Sequence, residues 1–176
     1  MKDSQRQKLY NAEHIAFTAV KGQLDPNRFA DFDETKQFIE KVWRSKWTQK
    51  HYWHARGYPV PYLADGRGTR IARGSVWRIS LPNWARTKQC ALQELAHALT
   101  IERPAHGREF AATFLALVQH WMGREDAKRL KVAFKQCRVK YRPKRVMTLK
   151  TKLKLHERGK LLAAALRQNK EINNEH

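Results

Sequence analysis

Four residues between positions 93 and 106 have the types and the spacing of a metal-dependent hydrolase site. They lie in the stretch QELAHALTIERPAHGREF, which begins at Gln93. In an HExxH helix, two histidines four residues apart bind zinc, and the glutamate after the first one takes a proton from the bound water. Here Gln93 and His97 occupy the two ligand positions, Glu94 occupies the base position, and His106 follows a short loop directly before Gly107. The pattern predicts Glu94 as the general base and His97 and His106 as metal ligands, with Gln93 as a weak or lost ligand.

The replacement of the first histidine by Gln93 changes the donor, because a neutral amide oxygen binds zinc more weakly than an imidazole nitrogen. Cys90, one turn earlier on the same helix, would be a strong ligand as a thiolate. A metal held near His97 would, however, lie about 10 Å further along the helix axis, so we expect Cys90 to serve packing. The segment HYWH supplies His51 and His54, which we expect to be surface residues.

Length and composition limit the class of protein. A chain of 176 residues favours one core domain that is long enough to bury a real core. No apolar run approaches the roughly 18 residues of a membrane span, and the segment MKDSQRQKLY lacks the apolar stretch of a secretory signal. Two cysteines suit a reducing compartment as free thiols. We therefore expect a soluble cytoplasmic protein that has no membrane partner.

The net charge of +20, from 36 Lys and Arg against 16 Asp and Glu, predicts a polyanionic partner, because neutralising phosphates releases counterions. From Arg124 onward the chain carries 17 basic and 5 acidic residues, with clusters in RVKYRPKR and KTKLK. DNA or RNA is the first candidate, and a merely solvated basic surface is the alternative. The residues predicted to contact phosphates are Arg138, Lys140, Arg142, Lys144, Arg145, Lys150, Lys152 and Lys154.

Hydrophobic periodicity predicts the elements that position these residues. Helices are expected at 3–20, from 33 through Trp47, and at 84–99, 107–122 and 126–137. Strands are expected at 58–64, 69–73 and 75–81, around the turn ADGRG, and they predict a small antiparallel sheet. The later segment LKTKLKL alternates as a strand does, whereas ERGKLLAAALRQ has the pattern of a helix. The structure of the tail is therefore left open. We predict a domain at 1–137 and a basic C-terminal extension at 138–176.

The segments ELAHALT and PAHGREF together resemble the HELAH and HGxxF pattern of SprT-like metallopeptidases and, more closely, of the actinobacterial HExxH metallohydrolase family. The opening DSQR and the segment ISLPNWART before the metal helix are similar as well. The resemblance covers about the first 125 residues. It implies an α+β minigluzincin fold, with helices packed on a small antiparallel sheet whose edge strand aligns a peptide beside the zinc. It also implies the second and third zinc ligands at His97 and His106 and the general base at Glu94, whereas Gln93 departs from the family pattern.

Three functions of different classes remain open at this point. Retention of Glu94, His97 and His106 favours a zinc-dependent hydrolase, most simply a peptidase acting on a protein or peptide. The loss of one ligand and the basic tail favour a pseudoenzyme that keeps the fold as a scaffold and binds nucleic acid. The third reading is a basic structural protein inside a nucleoprotein particle.

Overall fold

Helices and a short sheet make up the structure, a computed structural model that describes residues 3, 5–18, 25–100 and 105–141. Within these residues the α+β class is confirmed. The helices are α1 (Arg6–Phe17), α2 (Phe32–Arg44), α3 (Lys46–His51), α4 (Trp53–Gly57), α5 (Lys88–Leu99), α6 (Arg108–Trp121) and α7 (Arg124–Gln136). The strands are β1 (Tyr62–Ala64), β2 (Arg73–Gly74) and β3 (Arg78–Ser80), and a 3-10 turn (Asn83–Ala85) precedes α5.

Capping side chains set the helix boundaries that periodicity leaves imprecise. Ser45 has an extended backbone and accepts a hydrogen bond from the Thr48 amide at 3.1 Å, so it ends α2 and begins α3. Trp47 therefore belongs to a separate short helix rather than to the second predicted one. Thr87 caps α5 by accepting from the Cys90 amide, which starts that helix at Lys88 instead of near 84. An oxygen-bearing side chain at this position satisfies an amide that has no partner within the helix.

The sheet is mixed, and the prediction of an all-antiparallel sheet was wrong. Its order is β1-β3-β2, in which β1 pairs parallel to β3 and β2 pairs antiparallel to β3. The hairpin lies between β2 and β3, where the Ser75 amide donates to the Arg78 carbonyl at 2.8 Å. The segment ADGRG does not join two paired strands, because the chain after β1 crosses to the far side of β3 before it returns as β2.

The core surrounds α5, which carries the predicted site. On this helix Ala91, Leu92, Leu95, Ala96, Ala98 and Leu99 are buried, and α5 packs against α2, α4, α6, β2 and β3. The predicted apolar stripe of the second helix is confirmed as core, since Ile39, Val42 and Trp43 are all buried. A helix enclosed in this way carries its polar residues into the interior of the protein.

All described elements belong to one unit, Met1–Pro143. Residues 138–141 pack onto it: Val139 is buried, and the ring of Tyr141 lies 5.5 Å from that of Phe134. The remainder of the predicted basic extension, residues 142–176, lies outside the described residues. Among the helices that are described, none is long and apolar enough to cross a membrane.

Candidate metal and general-base site

Helix α5 places the three residues Gln93, Glu94 and His97 in or beside the core. The exposed fraction is 8% for Gln93 and 5% for Glu94, and His97 is half-buried. Burial disfavours the ionised carboxylate and raises the pKa of Glu94 from 4.5 to about 7. A carboxyl group with this pKa exchanges its proton near neutral pH, which is the property that a general base requires.

His97 and His106 lie against each other, as their assignment to one site predicts. Their ring centroids are 4.8 Å apart and their planes are perpendicular, while His97 also lies over Phe110 at 4.2 Å. Burial is the main reason why the pKa of His97 is lowered to about 4; repulsion by His106 adds to this effect, and Asp3 partly offsets it. His97 is therefore neutral at pH 7, and the neutral imidazole is the form that binds a metal ion.

His106 is buried and is held in place from the N-terminal segment. Its Nδ1 lies 2.6 Å from Oδ2 of Asp3, and its backbone carbonyl accepts from the Gln5 side-chain amide at 2.9 Å. Because a carboxylate only accepts hydrogen bonds, Nδ1 carries a proton, so the lone pair of the neutral imidazole lies on Nε2. A carboxylate on the far nitrogen is the usual partner of a metal-binding histidine. The Tyr10 hydroxyl lies 3.5 Å from Nε2, on the side that faces α1.

These supporting roles of Asp3 and Gln5 were missed by sequence reasoning. Both residues belong to the DSQR segment, whose similarity to the family start was the one available signal. Gln5 also joins the chain at its other end, since its side chain accepts from the Lys140 amide at 2.7 Å and donates to the Lys140 carbonyl at 3.1 Å.

A second carboxyl group, Glu13 of α1, was also missed. Burial, followed by repulsion from Glu94, raises the pKa of Glu13 well above 4.5. Its Oε1 is buried and has no hydrogen-bond partner among the described residues. Glu13, Gln93 and Glu94 line a cleft of about 530 Å³ between α1, α5 and residues 70–72, with Trp84 at its rim. The polar residues of α5 therefore open onto a space that admits a ligand.

Cys90 lines this cleft and is half-buried. Burial is the main reason why its pKa is raised to about 11, so it is a protonated thiol at neutral pH and a poor metal ligand. It packs against the hydrophobic core, in line with the role expected for it.

The expectation that both histidines of HYWH are surface residues was wrong for His54. His51 is exposed, but His54 is 7% exposed, with its ring 3.7 Å from that of Trp53 and stacked on Tyr58 at 6.0 Å. The physical reason is α4, a short helix that occupies the predicted loop and turns His54 inward. This residue packs in the fold and is not part of the candidate site.

The donors available to a metal ion are two imidazoles and one amide. In the described ranges, no group of three His, Cys, Asp or Glu residues is placed to hold a metal ion. In the predicted set the third donor would be the Gln93 amide oxygen, which is neutral, and two imidazoles with one amide would hold zinc only weakly.

Of the residues predicted to contact phosphates, two are described. Arg138 and Lys140 are both exposed, and Arg138 has a left-handed backbone with φ of 55°. The other six, Arg142, Lys144, Arg145, Lys150, Lys152 and Lys154, lie outside the described residues.

Comparisons of the chain with models of protein families, with characterised proteins and with solved structures find no match.

Proposed function

We propose that this chain is a SprT-like metallohydrolase-type protein, most simply a metallopeptidase, with a degenerate QELAH and His106 site that acts near nucleic acid. The observation that carries the proposal is the cluster itself. The ring centroids of the His97 and His106 imidazoles lie 4.8 Å apart, and the Asp3 carboxylate lies at Nδ1 of His106. A lone buried histidine needs neither a second imidazole nor a carboxylate partner, whereas a metal ligand uses both.

Glu94, Asp3 and His97 each have a separate role in the proposed reaction. Zinc, when bound, supplies a polarised water of lowered pKa. Glu94 would accept a proton from a water molecule at the site, because its pKa of about 7 lets it be ionised at neutral pH and protonated after the transfer. Asp3 holds the His106 ring in one orientation and places the lone pair of the neutral imidazole on Nε2. Burial around His97 keeps the imidazole neutral at pH 7.

The short edge strand β2 is a structural reason to propose a peptide as the substrate. An edge strand has unpaired amides and carbonyls, which bind an extended peptide by adding it to the sheet. β2 passes directly over the backbone of Glu94, because Gly74 has no side chain to hold the two apart. A peptide paired with β2 would therefore run beside the general base.

The metal content of protein purified without added zinc tests this proposal. The amide donor predicts less than one zinc per chain in the wild type, about one in Gln93→His, and none in His97→Ala. Gln136→His is the matched control, because it adds a histidine at an exposed position of α7 and should leave occupancy unchanged. Full occupancy in the wild type that Gln93→His does not alter would contradict a weakened site.

The second candidate is a pseudoenzyme scaffold, and the buried amide of Gln93 in a ligand position is the observation that favours it. Its binding function would rest on the net charge of +20. The free thiols of Cys90 and Cys137 suit a reducing compartment such as the cytoplasm under either candidate.

The variant Glu94→Gln separates the two candidates. Loss of a general base lowers a hydrolytic rate on the order of 100- to 10,000-fold and leaves nucleic-acid binding as it was. A scaffold would behave like the wild type in both assays.

A further inference from the structure

One face of the sheet carries arginines and a tyrosine instead of a packed layer. Cross-strand partners share a face of the sheet, and the register pairs Tyr62 with Arg78 and Arg73 with Ser80. Ile79, between Arg78 and Ser80, points the other way and is fully buried in the core. Tyr62, Arg73, Arg78 and Ser80 therefore form the face that points away from α5, which we call the outer sheet face.

The outer sheet face is strongly basic. Arg70, Arg73 and Arg78 line a groove of about 710 Å³ together with the hydroxyl-bearing residues Thr69, Ser75 and Ser80, and no acidic residue lines it. All three arginines are exposed. The ion pairs within the described ranges join Arg67 and Arg86 to Asp65, Arg129 to Asp126 and His106 to Asp3. The three groove arginines thus bring three positive charges to one groove without an ion-pair partner in the described part of the chain.

An aromatic ring stands next to these charges. Tyr62 is 69% exposed, the highest value among the large hydrophobic side chains of the described residues, and it is the direct partner of Arg78. A tyrosine on an open sheet face beside arginines is the arrangement with which proteins stack an unpaired base while neutralising the adjacent phosphates. An acidic peptide would satisfy the arginines but would leave the exposed ring without a partner.

We propose that the outer sheet face binds a single strand of nucleic acid, with Arg70, Arg73 and Arg78 on its phosphates and a base stacked on Tyr62. The inference rests on the proposed action near nucleic acid, and it places a contact surface on the folded domain in addition to the tail. Arg70 and Ile71 line both the groove and the cleft that reaches Glu94. A strand held on this face would therefore lie next to the opening of this cleft.

Binding of a fluorescent single-stranded DNA of mixed sequence to the full chain, measured by anisotropy over a range of salt concentrations, tests the proposal. Each neutralised phosphate contributes about 0.7 to the slope of log K against log salt for a single strand. Replacing Arg70, Arg73 and Arg78 together by Gln should therefore reduce the slope by about 2. The matched control replaces Lys128, Lys131 and Lys135, three exposed residues of α7, by Gln and removes the same charge. It should leave the slope near that of the wild type.

The tyrosine is tested separately with a pair of variants. Tyr62→Ala should weaken the binding of the single strand roughly tenfold, whereas Tyr62→Phe keeps the ring and should bind like the wild type. A duplex of the same sequence should not distinguish the two variants, because its bases are already stacked. All these side chains are exposed, and an unchanged thermal unfolding midpoint confirms that each variant folds.

Three results would overturn the inference. Equal reductions of the slope by the groove variant and by the α7 control would assign binding to net charge alone. Equal binding by Tyr62→Ala and Tyr62→Phe would exclude a base stacked on Tyr62 and so overturn the proposed single-strand binding mode. A wild type that binds no nucleic acid would overturn both this inference and the proposed action near nucleic acid, whereas the metal-content test would still stand on its own.

Discussion

The contact between β2 and α5 has no room for a side chain, and replacing Gly74 by Ala tests it. A Cβ atom on residue 74 would lie 2.8 Å from the carbonyl carbon of Glu94 and 2.9 Å from its Cα, and closer still to its carbonyl oxygen. All three are backbone atoms of a buried helix, so no rotation of a side chain relieves the clash. Either the edge strand or the helix must move.

The size of the effect follows from this geometry. Forcing one extra methyl group into a packed interior typically costs about 1–3 kcal/mol. Replacing Gly by Ala lowers the entropy of the unfolded chain, which offsets about 0.4–1 kcal/mol of that cost. The two ranges leave a net loss of about 0 to 2.6 kcal/mol in the free energy of unfolding. Because the clash is with backbone atoms, we expect Gly74→Ala to fall in the upper half of that range, about 1.3 to 2.6 kcal/mol, and to move β2 away from Glu94.

Urea unfolding followed by tryptophan fluorescence measures this change, and Gly57→Ala is the matched control. A Cβ at residue 57 would meet only Cε3 of Trp53, at an ordinary 3.9 Å, so this variant should be as stable as the wild type or slightly more stable. If Gly74→Ala unfolded at the same urea concentration as Gly57→Ala with an unchanged slope, the close approach of β2 to the site helix would be refuted.

Three further predictions concern the site and the tail. Asp3→Asn should weaken zinc binding about 10- to 100-fold in a chelator competition, because an outer partner of His106 loses its charge; unchanged affinity would mean that Asp3 does not support the ligand. Burial raises the pKa of Glu94 from 4.5 to about 7. Between these two pH values the native state keeps a proton on Glu94 that the unfolded chain has released. The stabilisation of the native state by the protonated Glu94 is therefore fully present below about pH 4.5 and is lost as the pH rises to about 7. Glu94→Gln, in metal-free protein, should therefore remove a fall of about 3 kcal/mol in the free energy of unfolding across that window; an unaltered pH profile in urea titrations would contradict a buried, protonated Glu94. Truncation after Tyr141 removes eight Lys and Arg residues up to Lys160 and spares the packed Val139. The slope of log K against log salt for nucleic-acid binding should therefore become shallower. An equal slope would show that the tail makes no phosphate contacts.

Local periodicity was enough to predict most of the helices and the gathering of Gln93, Glu94 and His97 on one of them. Residues three or four apart on a helix are neighbours whatever the rest of the chain does. The stripe of Ile39, Val42 and Trp43 follows the same rule, and it is buried. Such features depend on short-range geometry that the order of the residues fixes.

The features that were missed depend on segments far apart in the chain. Asp3 reaches His106 across 103 residues, and Glu13 meets Glu94 from another helix. No spacing rule relates such residues, because their approach is decided by how α1 packs on the rest of the fold. The parallel pairing of β1 with β3 was not predicted, for the same reason. The segment ADGRG has the residues of a hairpin turn, but tertiary packing decides which strand pairs with β1.

The side chain of Gln5 has a consequence for the order in which the protein is assembled during synthesis. This one amide group bonds the carbonyl of His106 and both backbone groups of Lys140, and contacts between residues so far apart form late because they close long loops. When the nascent chain has emerged from the ribosome only as far as α5, Glu94 and His97 are outside, but His106 and Lys140, the two partners of the Gln5 side chain, have not yet emerged. The bonds of Gln5 that support the candidate site are thus complete only after α7 and Lys140 have emerged, when the rest of the described domain is already present to enclose the site.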